Sequence, residues 1–335
     1  MNIAFLSKYR AQLMGVAMLM VVFHHLPFDI NNVVYHYLKQ NAGFGVDIFL
    51  LLSGIGLYFS ISKNNVSLTD YYKHRFVRIF PIYALIILCV SIIKGNYDIL
   101  DFILKVTTIG WWFNGTCFDW FIPTIVMLYA VFPLFYHVIL KRNNIMGGQI
   151  TVVIMYLSIV LFVPYGSDFQ MILRFPVFFL GALLGKIIKE NEKMCLSKSL
   201  LYIFFIIFGV GLAMSVYAFI YRNPPCGQME IPEIKQTGWL FIPYIFMVTS
   251  FCLALCYFFE NKIVKPLLPF FKNVGIMSIE IYLLHGQFIA LTRFITNEYG
   301  LSKPFLGTIM IIMCFIISWY MHKVNCWMMN KLNTI

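Results

Sequence analysis

Gly15-Val16-Ala17-Met18-Leu19-Met20-Val21-Val22-Phe23-His24-His25 is the stretch that decides the fold class. With its flanks this run is long enough to enter a membrane, and it ends on two imidazoles. Titratable groups at membrane depth are costly, so they face a bundle interior or a wet cavity and mark a functional path. A second such group follows in Gly45-Val46-Asp47-Ile48-Phe49-Leu50-Leu51-Leu52-Ser53-Gly54, where Asp47 is surrounded by apolar residues.

Composition agrees with a bilayer. The chain is 61% hydrophobic, 18% aromatic and 12% charged, with a mean hydropathy of +0.81, whereas soluble domains carry about 25% charged residues. No small-residue cleavage site follows the first apolar run, so that run is expected to remain as a helix. The net charge of +11 is spread between apolar runs and forms no patch suited to nucleic acid. The eight cysteines show no Cys-x-x-Cys spacing and no histidines at metal-ligand distances, so neither a zinc site nor a redox motif is expected. Cys89, Cys252, Cys256 and Cys314 lie within apolar runs, where cysteine acts as small packing material.

Working outward gives ten apolar spans, near 10–27, 43–62, 77–94, 119–140, 149–163, 170–189, 200–221, 237–258, 275–294 and 304–325, each close to the length a bilayer needs. The shorter stretch 98–113, with Trp111 and Trp112, reads as interfacial. With the N-terminus in the cytoplasm, 17 Lys and Arg fall inside and 8 outside, accounting for all 25. That bias follows the positive-inside rule and predicts an all-α polytopic bundle with both termini cytoplasmic. The longest polar interruption, about 221–236 with Pro224, Pro225 and Pro232, reads as an outer loop. Residues 1–335 read as a single transmembrane domain, with no soluble domain and no internal repeat of the kind inverted-repeat transporters show.

The polar residues sort by depth. His25 lies fifteen residues beyond Arg10, so on a helix it sits about 22 Å deeper. Asp47 belongs to the same outer half, and Trp120 opens the fourth span there. Arg75 and Arg78, on one helical face, guard the inner end of the third span. An outer imidazole suits a hydroxyl acceptor, and an inner cationic fork suits an anionic donor.

Several motifs together resemble the acyltransferase-3 family of membrane O-acyltransferases. They are Met14 to Ala17 with His24-His25; Val46-Asp47-Ile48-Phe49 with Ser53-Gly54; Tyr72 to Pro81, with its Arg75-x-x-Arg78-Ile79-x-Pro81 core; Trp120 with Tyr129 and Pro133; and Ser278-Ile279-Glu280-Ile281-Tyr282-Leu283-Leu284-His285. They occur in the family's order along most of the chain. Two positions depart from the pattern. Met14 stands where the family commonly has arginine, although Arg10, one turn earlier on the same face, reaches the same space. Ile125 and Val126 stand where many members carry an acidic pair.

The resemblance implies acyl transfer from acetyl-coenzyme A to a hydroxyl of a cell-surface saccharide or related envelope molecule, at the inner (plasma) membrane and without a metal. It implies His25 as the base that accepts the hydroxyl proton. His24, which would point about 100° away on a continuing helix, is the alternative. Asp47 either orients the imidazole, as a third relay member does, or pairs within the bundle. Arg75 and Arg78 would hold the donor's phosphates, since arginine's planar fork suits phosphate, with Arg10 assisting. Glu280 and His285 line the acceptor route or pack between helices; Trp120 and Arg174 are acceptor-side residues or interfacial anchors. A flippase for a lipid-linked saccharide would use the same polar path without chemistry. A catalytically lapsed relative is a third reading, motivated by Met14 and the missing acidic pair.

Overall fold

The computed structural model describes residues 2–27, 30–63, 66–142, 144–162, 171–191, 195–222 and 242–333. The outer loop expected at 221–236 lies almost wholly outside them. Ten helices stand at the ten expected spans: α1 (Arg10–His24), α2 (Gly45–Ile61), α3 (Leu68–Ile93), α4 (Phe121–Phe135), α5 (Ile145–Phe162), α6 (Phe175–Glu190), α7 (Lys198–Arg222), α8 (Tyr244–Phe259), α9 (Ser278–Tyr299) and α10 (Lys303–Asn333). Among the described residues the only extended pairing is an isolated bridge from Asn2 to Cys195. Two short helices, Ile99–Val106 and Ile109–Asn114, occupy the stretch read as interfacial.

Six helical stretches are long and apolar enough to cross a bilayer: Val33–Ile61, which contains α2, then α3, α4 with its continuation to Leu140, α5, α7 and most of α10. A seventh arises if Lys265–Ile276 and α9 form one broken span, while α1 and α8 are shorter apolar helices. Exposed side chains on these helices, including Leu161, Phe162, Phe205, Ile206, Ile312 and Ile316, form apolar faces too extensive for water to cover. The molecule is a helical membrane protein.

Its first helix ends at His24, not at 27. Pro27 bars the preceding residue from helical dihedrals, so the chain leaves the helix at His25 and Leu26. The 100° helical offset expected between the two histidines therefore does not apply, and His25 is not enclosed within a span: it is exposed at a turn.

By contacts the chain divides into two units. The first comprises Met1–His24, Ile30–Ser62 and Leu134–Ile276. Glycines let its helices touch backbone to backbone. A methyl group on Gly15 would overlap the carbonyl of Phe271, and one on Gly275 that of Ala11. Likewise, Gly54 lies on the Phe178 carbonyl and Gly181 on that of Leu51, locking α2 to α6. In a bilayer, where apolar surface alone gives no preference for a neighbouring helix over lipid, such close approach supplies the packing energy. Ahead of α1, Lys8 Nζ and the Tyr9 hydroxyl both donate to Glu260 Oε1 at 2.6 Å, and the Lys8 bond holds the Glu260 carboxyl below its ordinary range. Buried Lys186 donates to the carbonyl of Leu140, satisfying the last turn of the π-helix that follows Pro133.

The second unit comprises His25–Asp29, Lys63–Pro133 and Met277–Ile335. Ser67 starts α3 by accepting from the Asp70 amide at 3.0 Å while donating to the Asp70 carboxylate at 2.7 Å. The hydroxyls of Tyr71 and Tyr72 donate to the carbonyls of Tyr129 and Ala130, both at 3.0 Å, tying α3 to α4. Gly300, at a φ of 66°, closes α9 in the left-handed conformation and turns the chain into α10.

Candidate active site

In the second unit His25 meets His285. Their rings lie 5.0 Å apart between centroids at 67°, edge to face. His285 projects from the second turn of α9, nearly buried, and its Nδ1 lies 2.6 Å from the Tyr282 carbonyl. A carbonyl only accepts, so Nδ1 carries a proton and donates it to Tyr282, which fixes the orientation of the ring. Beside it stands the Tyr282 ring, 5.4 Å from the imidazole and 5.1 Å from Phe121. Trp120 is half-buried with its ring edge-on to Phe121, at the head of α4.

Asp119 escaped the sequence reading. Its Oδ1 accepts from the Ile122 amide at 2.8 Å, capping α4. The Tyr282 and Tyr83 hydroxyls lie against the same carboxylate. Nevertheless Oδ2 and the Tyr83 hydroxyl are buried without a partner in hydrogen-bonding geometry. Two signals were present in the sequence: a carboxylate immediately before the span-opening Trp120, and Tyr282 three residues before His285, on one helical face.

Arg75 and Arg78 share a face of α3 with different surroundings. Arg75 is part-buried, its guanidinium 5.3 Å from the Tyr71 ring centroid and 5.9 Å from that of Tyr129; Arg78 is exposed. The flanking rings hold the Arg75 plane while leaving its Nε buried and without a hydrogen bond. Glu280, in the first turn of α9, is fully buried. Its Oε1 accepts from Asn325 Nδ2 at 2.7 Å and lies 3.2 Å from His322 Nδ1, so it is engaged by α10.

The first unit holds the remaining candidates. Asp47, fully buried, lies 3.5 Å from Arg174 Nη1, which also donates to the Gly43 carbonyl at 3.3 Å. Arg174 is thus a buried partner of Asp47 and not an interfacial anchor. It is drawn inward because a lone carboxylate among apolar side chains would be far costlier than a pair. The His24 ring packs over Gly43, and its Nδ1 lies 2.8 Å from the Lys39 carbonyl. Arg10 donates from Nε to the Leu52 carbonyl at 3.0 Å, and its guanidinium covers Gly56, where any side chain would collide with it.

A model of the acyltransferase-3 family, described as an acyltransferase domain, matches residues 13–323. The chain belongs to the acyltransferase-3 family. No curated protein and no solved structure matches it. As an acyltransferase-3 protein it is a membrane acyltransferase. The family match runs through the His25–His285 pair, the two α3 arginines and the Asp47–Arg174 pair.

Proposed function

We propose that this protein is a ten-span O-acyltransferase of the plasma membrane, folded as one acyltransferase domain with both termini in the cytoplasm. It moves an acetyl group from acetyl-coenzyme A to a hydroxyl of a cell-surface saccharide or related envelope molecule. The observation that carries this reading is the edge-to-face contact of His25 with His285, whose tautomer is set by the Tyr282 carbonyl. An imidazole oriented by a backbone carbonyl and set beside a second, exposed one is suited to placing a base for an attacking hydroxyl.

In this reading Arg75 and Arg78 hold the donor's phosphates, Arg75 braced by Tyr71 and Tyr129 and Arg78 free to swing onto them. His25 takes the proton as the acceptor oxygen bonds to the acyl carbon. The carbon–sulfur bond of the thioester then breaks, and the proton passes to the departing thiolate. His285 positions the His25 ring. Incubating membranes with radiolabelled acetyl-coenzyme A should place label on a saccharide fraction. Label confined to water-derived acetate, or transferred to nothing, would overturn the reading, and the second result would favour a flippase.

Arg78→Ala is expected to raise the apparent KM for acetyl-coenzyme A more than that for the acceptor. Arg78→Lys should rescue only in part, because lysine lacks the planar fork. Unchanged donor dependence would remove Arg78 from the donor site. For topology, single cysteines on a cysteine-free background should react with an impermeant thiol reagent at 28–42 and 222–236 in intact cells. Cysteines at 63–75 and 190–198 should react only after permeabilisation. The reverse pattern would defeat the ten-span arrangement.

A further inference from the structure

We infer that Cys326, His322 and Glu280 form a nucleophilic relay near the C-terminal end of α10, in which the Cys326 thiol takes an acyl group from acyl-coenzyme A by thioester exchange. The inference rests on the coenzyme A reading of the donor and adds an acyl-enzyme to it. His322 and Cys326 stand one turn apart on one face of α10. His322 Nε2 lies 3.5 Å from Cys326 Sγ, and its Nδ1 lies 3.2 Å from Glu280 Oε1 on α9. The same carboxylate oxygen accepts from Asn325 Nδ2 at 2.7 Å, which fixes it between the two helices. Sulfur, imidazole and carboxylate thus stand in the order that nucleophile, base and orienting group take in acyl-transferring relays.

Packing alone does not account for the cluster. Glu280 is fully buried, and its Oε2 has no hydrogen-bond partner. An apolar side chain would fill that position at lower cost. In a relay the carboxylate has a role: it holds Nδ1 and stabilises the imidazolium that forms when the sulfur gives up its proton. The His322 side chain is 22% exposed and Cys326 is part-exposed, so both can be reached from outside the bundle. The surroundings suit an anionic donor. Lys323 and Lys331 sit over the Trp319 and Trp327 rings, 3.4 and 4.9 Å from their centroids. The proposed topology puts this end of α10 in the cytoplasm, and α10 packs on α3, the helix that carries Arg75 and Arg78.

In the step itself, Sγ bonds to the thioester carbon as its proton passes to His322 Nε2. The bond from that carbon to the coenzyme A sulfur breaks, and His322 returns the proton to the departing thiolate. One thioester replaces another, so no further reactant is needed. Substitution can separate the relay from folding. Cys326→Ser keeps the shape, and Glu280→Gln keeps an oxygen for Asn325. His322→Gln keeps a donor for Glu280 but cannot take a proton.

The test incubates purified full-length protein with deuterated acetyl-coenzyme A and reads each cysteine by mass spectrometry. Wild type should carry label on Cys326, released by neutral hydroxylamine as a thioester is, and should load it faster than exposed Cys195. Cys326→Ser should lose that label. His322→Gln should slow loading at saturating donor by roughly 10²- to 10⁴-fold, and Glu280→Gln should slow it less. Both should leave the half-saturating donor concentration in place, a split that a merely structural role would not give. Loading of Cys326 at the same rate in His322→Gln as in wild type would overturn the inference. Acetyl transfer to a saccharide with no label on Cys326 would also overturn it and leave the proposed function standing. Relay-dependent label with no transfer to any hydroxyl would sustain it and defeat the saccharide acceptor. Neither label nor transfer would defeat both.

Discussion

His25→Ala should lower acyl transfer by roughly 10²- to 10⁴-fold, the ordinary cost of removing a general base from a hydroxyl attack. The protein should remain folded, because His25 stands beyond the end of α1, exposed on one side and in ring contact with His285 on the other. His24→Ala should cost far less. The His24 ring is committed to the first unit, with Nδ1 on the Lys39 carbonyl in the helix Val33–Asn41, and its loss removes a packing contact and no reacting group. His285→Ala should fall between them, because it leaves His25 present but without the neighbour that fixes its ring. Transfer from radiolabelled acetyl-coenzyme A by purified variants, alongside donor binding, measures all three. A His25→Ala protein that binds donor and transfers at near the wild-type rate would end the mechanism. If His24→Ala were the inactive variant instead, the base would be His24, and the pair formed by His25 and His285 would be a packing contact.

The helices were legible because hydropathy reports directly on what lies in lipid. A helix lies within each expected span over the described residues, and six helical stretches are long and apolar enough to cross a bilayer, where a backbone must satisfy its own hydrogen bonds. Where the reading failed, local chemistry overrode the apolar pattern. Val21-Val22-Phe23 carries the hydrophobic run up to the two histidines, but Pro27 ends the helix before it. Partners distant in sequence were not legible at all. Asp47 was read as either orienting an imidazole or pairing within the bundle, and the structure pairs it with Arg174, a residue whose position near a span end suggested an anchor. Glu280 was read as either lining the acceptor route or packing between helices; one of its oxygens is taken by Asn325 from α10, a partner no spacing rule predicts. Arg10 was read as reaching the space beside Met14. Its guanidinium lies along α2 at Leu52 and Gly56, a contact that depends on the missing side chain at Gly56. Asp119 was overlooked for a different reason: it belongs to the turn before a span, where a carboxylate reads as an ordinary cap, and only the buried second oxygen distinguishes it.

The largest stability effect is expected at the Asp47–Arg174 pair. The two side chains are 0% and 2% exposed, and the two Asp47 oxygens accept no hydrogen bond, so the guanidinium 3.5 Å away is what compensates the carboxylate. Breaking such a pair from one side costs roughly 3–5 kcal/mol, because the charge left behind has neither water nor a partner. Arg174→Met should therefore destabilise the detergent-solubilised protein by about that amount in a denaturant titration. It also removes the donation to the Gly43 carbonyl that fixes the chain ahead of α2. Replacing both members behaves differently, since a neutral pair of similar shape carries no uncompensated charge. Asp47→Asn combined with Arg174→Met should recover most of the lost stability. The double variant then separates the two roles open to Asp47. If it regains both stability and transfer, the pair is a packing device that joins α2 to the start of α6. If it regains stability yet transfers at a small fraction of the wild-type rate, while still binding donor, the charges act on the reaction. Arg174→Met as stable as wild type would contradict the pairing itself, because a fully buried carboxylate cannot lose the guanidinium beside it without cost.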